Sequence, residues 1–395
     1  MKRDKINVIY LGYSSSMYGS ASGEKAKLIG KAIVNEGATF TILSRSWRNV
    51  NYKNLKRKLL NEGITYISAA RVYFRPNNFI KRNLLKLVVS YMEIKVLLAL
   101  SRSNHLSIAI LVSRNFSSII YYKIVSLLFR FSLVINYMEY NSAMVTRKSR
   151  ISKINDFFYE RFTFKIVDAA LPISEFLAQF IHKSNKKLPL LKTPVLVDLE
   201  IFDKNIGKNC NNYFLFCGAA AFIEVIRFII KSYELVNNQE VKLRIISFGS
   251  ESAIKALKSE IAHSIKADLI ELQSGLEYNE LIRYYKGAIA LLIPLRPTLQ
   301  DIARFPHKIG EYAASGRPII SNNFGEMKFY FEDEKSALLA EKYTHDDFAN
   351  KMNYVINFPE KATEIGRNGR IIAETYFDYK KFGEQLVSFL RKIVK

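Results

Sequence analysis

Phe305-Pro306-His307-Lys308-Ile309-Gly310-Glu311-Tyr312-Ala313-Ala314-Ser315-Gly316-Arg317-Pro318-Ile319-Ile320 is the most specific stretch of this 395-residue chain. It reads as a short helix over 306–315 that runs out into a strand over 318–321. Pro306 suits the first helical position, where its missing N–H costs nothing. The unpaired amides of that first turn are a natural place for phosphate oxygens. Lys308 and Glu311, three apart, share a face. A cation so near a helix N-terminus is unfavourable unless an anion is shared between them. A glutamate one turn further in can accept two hydrogen bonds from a diol, such as the neighbouring hydroxyls of a ribose. Gly316 follows the C-cap, and Arg317-Pro318 forces the exit into the strand. Gly325-Glu326 comes after that strand. The same spacing also describes a buried helix whose Lys308 and Glu311 simply pair, so two readings stand side by side.

Outward from this stretch, strands and helices alternate. Strands are expected at Tyr213–Cys217, Val241–Phe248, Leu269–Gln273 and Ile289–Pro294, with helices at Phe222–Asn237, Glu251–Ile265 and Asn279–Lys286 between them. A further helix is expected at Phe348–Ile356, and the basic amphipathic tail Tyr379–Val394 closes the chain. Upstream, strands are expected at Ile6–Leu11, Thr39–Leu43, Ile64–Ser68, Ile108–Val112, Leu133–Tyr137 and Ala169–Ile173, the last opening a helix capped by Ser174. This order is that of two doubly wound α/β domains. At roughly 150 residues per domain the length agrees. Residues 190–208 read as the connection, and two such domains imply a cleft for ligands between them. The glycines after the first strand, Gly12, Gly19 and Gly23, do not fit the spacing of a dinucleotide site. Gly23, just before a helix, still lets a backbone N–H approach an anionic group.

Composition excludes several classes. Apolar residues make up 49% and charged residues 24%, an ordinary globular mix. Cys210 and Cys217 are not spaced as a metal or redox pair, and read as free thiols in a reducing compartment. A signal peptide is not expected, and no run of about 18 uncharged apolar residues predicts a membrane-spanning helix. Charge is the unusual feature: 59 Lys+Arg against 36 Asp+Glu give +23. Residues 1–200 hold 32 of those cations and only 12 of the anions. A basic half of this kind points to a polyanionic partner, either nucleic acid or an anionic membrane.

With these elements placed, the chain resembles the retaining glycosyltransferases of GT-B architecture in the large group-1 family. Residues 305–326 resemble that family's nucleotide-sugar site. Asp168-Ala169-Ala170-Leu171-Pro172-Ile173-Ser174 is similar to its last first-domain strand, and Pro194–Phe202, with Asp198, to its interdomain segment. Leu215-Phe216-Cys217-Gly218 is similar to the strand that opens the second domain. Leu243–Gly249 and Gln273-Ser274-Gly275 with Glu280-Leu281 follow the family's order. The tail after Tyr376-Phe377 resembles its final helix.

The resemblance implies an α/β GT-B fold, with two Rossmann-like domains facing across a cleft and a C-terminal helix crossing back to the first. The boundaries expected are 1–195 for the acceptor domain, 209–376 for the donor domain and 377–395 for the crossover helix. Glu311 matches the glutamate that holds the donor ribose, and Pro306, His307 and Lys308 match the turn whose amides face the diphosphate. Gly218 and Gly249 stand at the two strand ends on the donor side. Ser20, Gly23, Tyr137 and Asn141 are expected on the acceptor-side loops. Glu139 is expected to face the acceptor as a catalytic residue, with Lys308 on the leaving group.

Four positions depart from the pattern. The first glutamate of the family's paired motif falls at Ala303, with Asp301 nearby. The two diphosphate cations fall at Ala219 and Glu224, and the histidine of a first-domain strand end falls at Met138. Arg227, one turn on, and Arg304 are the substitutes expected to supply charge.

The implied activity is transfer of a sugar from a UDP- or GDP-sugar to a glycan or lipid-linked acceptor with retention, in capsule, exopolysaccharide or O-antigen assembly. No metal and no cofactor beyond the nucleotide-sugar co-substrate are expected. The basic half then reads as a contact with the inner face of an anionic cell membrane, the protein being cytoplasmic and peripheral. Residues 79–102 combine an apolar stripe with Lys81, Arg82, Lys86, Lys95 and Arg102, a pattern that a core helix packing on the sheet needs and that an interfacial helix also shows. Arg45, Arg48, Lys53, Lys56, Arg57 and Lys58 surround the lone Trp47, again a membrane-surface pattern. No nucleic-acid motif is visible, and no nucleic-acid partner is expected. The rival readings are a catalytically lapsed GT-B-like protein that binds membranes or a partner, and a nucleic-acid-binding α/β protein.

Overall fold

The structure is a computed structural model, and it describes residues 6–12, 21–45, 52–70, 77–103, 105–205 and 212–394. The chain divides into two compact units, Met1–Leu196 with Tyr379–Lys395, and Val197–Asp378.

Unit 1 runs β1 (Asn7–Leu11), α1 (Ala21–Asn35), β2 (Thr39–Ser44), α2 (Tyr52–Asn61), β3 (Ile64–Ser68), α3 (Phe79–Arg102), β4 (Ile108–Leu111), α4 (Phe116–Phe129), β5 (Ser132–Tyr137), α5 (Arg150–Ile166), β6 (Ala169–Pro172) and α6 (Glu175–Ser184). Its sheet has the order β3-β2-β1-β4-β5-β6, and every pairing is parallel. Parallel strands need cover on both faces, which is why β1, β4 and β5 are continuous buried runs. Right-handed crossovers put α1 and α2 on one face and α3, α4 and α5 on the other.

Unit 2 runs α7 (Leu199–Lys204), β7 (Tyr213–Ala219), α8 (Ile223–Glu234), β8 (Lys242–Phe248), α9 (Glu251–Ala262), β9 (Ile270–Gln273), α10 (Tyr278–Gly287), β10 (Ala290–Leu292), α11 (Leu299–Ala303), α12 (His307–Ala314), β11 (Ile319–Asn322), α13 (Met327–Tyr330), β12 (Leu338–Ala340), α14 (His345–Asn357) and α15 (Pro359–Ile372). Its all-parallel sheet has the order β12-β11-β10-β7-β8-β9. The last helix, α16 (Tyr379–Arg391), returns to unit 1, where Leu386, Val387 and Leu390 share a core with Ala26, Ile29 and Ile33 of α1. The segments entering and leaving unit 2 are tied together, Val197 N donating to the Phe377 carbonyl at 2.8 Å.

Two local expectations change. Pro306 is the N-cap of α12, with φ −62° and ψ 127°, rather than its first helical residue. The helix over 79–102 is core on one side only: Val89 and Leu97 are buried, whereas Leu84 and Leu87 are 61% and 69% exposed. Ser174 caps α6 as expected, accepting from Leu177 N at 3.2 Å. Among the described residues no helix is long and apolar enough to cross a membrane.

Candidate functional site

In both sheets the strand order reverses beside the first strand, and open α/β sheets place ligands in the crevice at the carboxyl ends of the strands there. In unit 2 this point lies between β7 and β10. Gly218, the penultimate residue of β7, is packed so closely that a Cβ would stand 2.7 Å from the Phe216 ring. Gly249 follows β8, 3.3 Å from the Ala220 methyl by the same measure. Ser247 joins the two strand ends, donating from Oγ to the Gly218 carbonyl at 2.9 Å.

Helix α12 begins at this edge. Its C-terminal end is fixed by Gly316 at φ +72°, a left-handed turn that glycine adopts without strain. Tyr312 anchors the helix to β7, its hydroxyl accepting from Cys217 N at 2.9 Å. On the same helix Glu311 is 3% exposed. Lys308 Nζ donates to Glu311 Oε2 at 2.8 Å and to the Tyr285 hydroxyl at 2.8 Å. Tyr285, from α10, donates in turn to Oε2 at 3.2 Å, which closes a triangle. Tyr278 reaches Oε1 at 3.4 Å, and His307 Nε2 stands 3.7 Å from it.

Burial pushes the Glu311 carboxyl up, but the charges of Lys308 and then His307 outweigh it and hold the carboxyl below its usual range. Burial likewise pulls Lys308 down, and the Glu311 carboxylate more than restores it. The pair is therefore ionised, as both readings of the spacing require. The arrangement can offer a carboxylate oxygen to a hydroxyl and helix amides to an anion.

The other residues expected on the donor side are already engaged. Asp301, fully buried, holds Arg296 (Nε to Oδ2, 2.8 Å) and Arg304 (2.8 Å). The Arg304 guanidinium lies 5.3 Å from the Phe222 ring, and its Nε has no hydrogen-bond partner among the described residues. Arg227 is held away, between Glu260 at 2.8 Å and Glu224 at 3.0 Å, because α8 packs against α9.

On the first unit, Gly23 lies buried in the first turn of α1, and Ser20 falls outside the described residues, as do Trp47, Arg48 and Cys210. Tyr137 and Glu139 part company. The Tyr137 ring packs on Tyr159 and Phe164 of α5, its hydroxyl without a hydrogen-bond partner among the described residues, while the Glu139 carboxylate acts electrostatically on Lys25 of α1. Asn141 is buried, donating to the Arg114 carbonyl at 3.1 Å. Sequence reasoning did not single out Tyr278, Tyr285, Arg296 or Lys25, because nothing local to them marks the distant groups they meet. Among the described residues no group of three or more His, Cys, Asp or Glu side chains could hold a metal ion.

Residues 198–371 match the model of the family described as glycosyl transferases group 1. No curated protein matches the chain. Among solved structures, the chain is similar to sucrose-phosphate synthase from Thermosynechococcus elongatus, at 13% identity and a TM-score of 0.75, covering 98% of this chain and 99% of that one. It is similar to Anabaena HepE, solved in complex with UDP-glucose, at 12% identity and a TM-score of 0.70, covering 98% and 100%. It is also similar to a glycosyltransferase from Rickettsia africae, at 14% identity and a TM-score of 0.72, covering 99% of each chain. At these identities the likeness is one of fold, and the fold is GT-B.

Proposed function

We propose that the protein is a glycosyltransferase that moves a sugar from a UDP- or GDP-sugar to a glycan or lipid-linked acceptor, with retention and without a resident metal. The observation that carries this reading is the Lys308–Tyr285–Glu311 triangle at the β7/β10 edge, inside the segment that matches the group-1 model. Glu311 would take the ribose hydroxyls on Oε1, the oxygen with the longer contacts. The amides that open α12, with Lys308, would face the diphosphate. Glu139 would stand on the acceptor side. HepE is a structural neighbour solved with UDP-glucose, which supports this class of donor.

The acceptor would lie at the inner face of a cell membrane, in surface-polysaccharide assembly, with the protein cytoplasmic and peripheral. Support comes from the layer of α3, α4 and α5. Its outer side exposes Leu84, Leu87 and Tyr91, then Ile124, Leu127 and Leu128, then Ile151 and Phe157. Lys81, Lys86, Lys95, Lys153 and Arg161 are exposed on the same helices. A broad apolar face rimmed by cations suits an anionic lipid surface. This assigns residues 79–102 to both jobs at once, core on one side and interface on the other.

A second reading, a transferase-like binding protein without turnover, is favoured by Arg227 and Arg304, both already neutralised by carboxylates. Thermal-shift measurements with UDP, GDP, ADP and CMP, then turnover of the matching sugar nucleotides, decide between them. Nucleotide binding with hydrolysis or transfer supports the enzyme; no binding and no turnover of any UDP- or GDP-sugar sinks it.

A further inference from the structure

The helices that carry the Glu311 triangle, α10 and α12, bring their C-terminal ends together with that of α7. A helix leaves its last carbonyls without internal partners, and a cation beside them is favoured. Here each of the three ends receives a cation from another element. Lys286 of α10 donates from Nζ to the carbonyls of Phe202 (3.0 Å) and Asn205 (2.8 Å), which end α7. Arg317, past the turn that ends α12, donates from Nε to the Lys286 carbonyl at 2.6 Å. Arg370, in the last turn of α15, donates from Nη1 to the carbonyl of Ala314, the final residue of α12, at 2.6 Å. These charges act on one another. Burial pulls the Lys286 amine down, Asp203 pulls it back up, and Arg370 and Arg317 push it down again.

Arg370 does more than cap. Its Nη2 donates to Asp203 of α7 at 2.9 Å, and its Nε to Glu374 at 2.7 Å. Glu374 lies in the turn 373–377, which leads to the end of unit 2 at Asp378. One planar guanidinium therefore joins α7, the end of α12 and the exit from the unit. The backbone closes the same joint: a Cβ at Gly366 would stand 2.6 Å from the Gly316 carbonyl oxygen, so α15 lies directly on the turn that ends α12. The triangle is close by. Tyr285 and Lys286 are neighbours in α10, one reaching Glu311 and the other α7. Along α12, Ala314 stands within one helical turn of Glu311, and the helix is only eight residues long. Fixing its last carbonyl fixes the setting of its first turns.

We infer that Arg370 is a positioning residue for the nucleotide: by locking the end of α12 to α7, it sets where Oε1 of Glu311 stands. The inference rests on the reading that Glu311 takes the ribose hydroxyls. A carboxylate that must meet a diol has little latitude, because hydrogen bonds weaken steeply once distance and angle leave their optimum. Arg370 acts through the helix and touches no ligand, so its loss is felt only by ligands that use Glu311.

Calorimetric titration of the full chain with UDP and with 2′,3′-dideoxy-UDP tests this, the guanine pair being used if GDP is the nucleotide bound. Wild type is expected to prefer UDP by at least about tenfold, the scale of a hydrogen bond to a charged group. Arg370→Met is expected to weaken UDP about tenfold and leave dideoxy-UDP unchanged, because that probe already lacks the contact. Arg370→Lys keeps the charge but has one ammonium for acceptors on three elements, and is expected to show the same pattern more weakly. Asp203→Asn is expected to do likewise; its carboxylate is 63% exposed, so the core stays closed. If Arg370→Met does not fold, the other two variants decide. A merely structural role would weaken both probes together or neither. A UDP preference as large in the variants as in wild type therefore overturns the inference. A wild type that binds neither probe, or both equally, overturns the ribose reading of Glu311, and the inference with it.

Discussion

Lys308 and Tyr285 both donate to Oε2 of Glu311, at 2.8 and 3.2 Å, while the groups facing Oε1 stand at 3.4 and 3.7 Å. The carboxylate is thus anchored through one oxygen and presents the other. Removing it should remove nucleotide binding: Glu311→Ala is expected to lose UDP or GDP affinity by at least a hundredfold in calorimetric titration. Unchanged affinity would refute the ribose role.

Lys308 neutralises a carboxylate that is almost entirely out of water. Taking away one member of a buried ion pair costs about 3–5 kcal/mol. Lys308→Met should lower stability in urea by that order, and the double variant with Glu311→Gln should recover most of the loss. Additive losses would mean the two side chains do not act as a pair.

The sign of the pH dependence follows from the same pair. The Glu311 carboxyl is depressed on folding, so its stabilisation is complete above the unfolded carboxylate pKa and is lost as pH falls through the folded one. Lys308 is raised, so its share is complete below the unfolded lysine pKa and is lost as pH rises through the folded one. Glu311→Gln should flatten the acid limb of a stability profile, which denaturant titrations between pH 3 and 7 would show.

Lys25 runs the other way. Its amine is lowered from 10.5 to about 7, so the unfolded chain holds the extra proton and stability rises with pH across that window. The slope is at most about 1.4 kcal/mol per pH unit. Lys25→Met should remove this slope and be more stable than wild type at pH 7. A variant less stable than wild type would mean the amine has a partner in the folded protein.

The exposed face of α3 and α4 should bind vesicles containing phosphatidylglycerol and release them as salt rises. Leu87→Ser and Leu128→Ser should each weaken co-sedimentation about tenfold, on the basis of roughly 1.5 kcal/mol for burying a leucine. A stable dimer in solution that loses its association in these variants would assign the face to a second copy instead.

Much of the architecture could be read from patterns local to each element. Ile64–Ser68 is a strand with those bounds, and the Lys308–Glu311 pair follows from a three-residue spacing on one turn. What escaped depends on packing between distant elements. Tyr285 lies 26 residues from Glu311, and nothing in its helix distinguishes a core tyrosine from one whose hydroxyl bridges a charge pair. Glu260, 33 residues beyond Arg227, takes a guanidinium that the sequence leaves available. β12, three residues long, is too short to show any period. Nothing in the residues around Lys25 announces its burial.

The return of α16 to unit 1 sets an order of events during synthesis. Ala26, Ile29 and Ile33 cannot finish their packing until Leu386, Val387 and Leu390 have been made, and Ser132 Oγ waits for the Ile393 carbonyl, 2.6 Å away. All of Val197–Asp378 emerges from the ribosome in between. The second unit made is therefore able to complete its core before the first, and the first stays open, apolar side out, until α16 has been made. A chain cut short at residue 378 would keep an intact unit 2 attached to a half-closed, aggregation-prone unit 1.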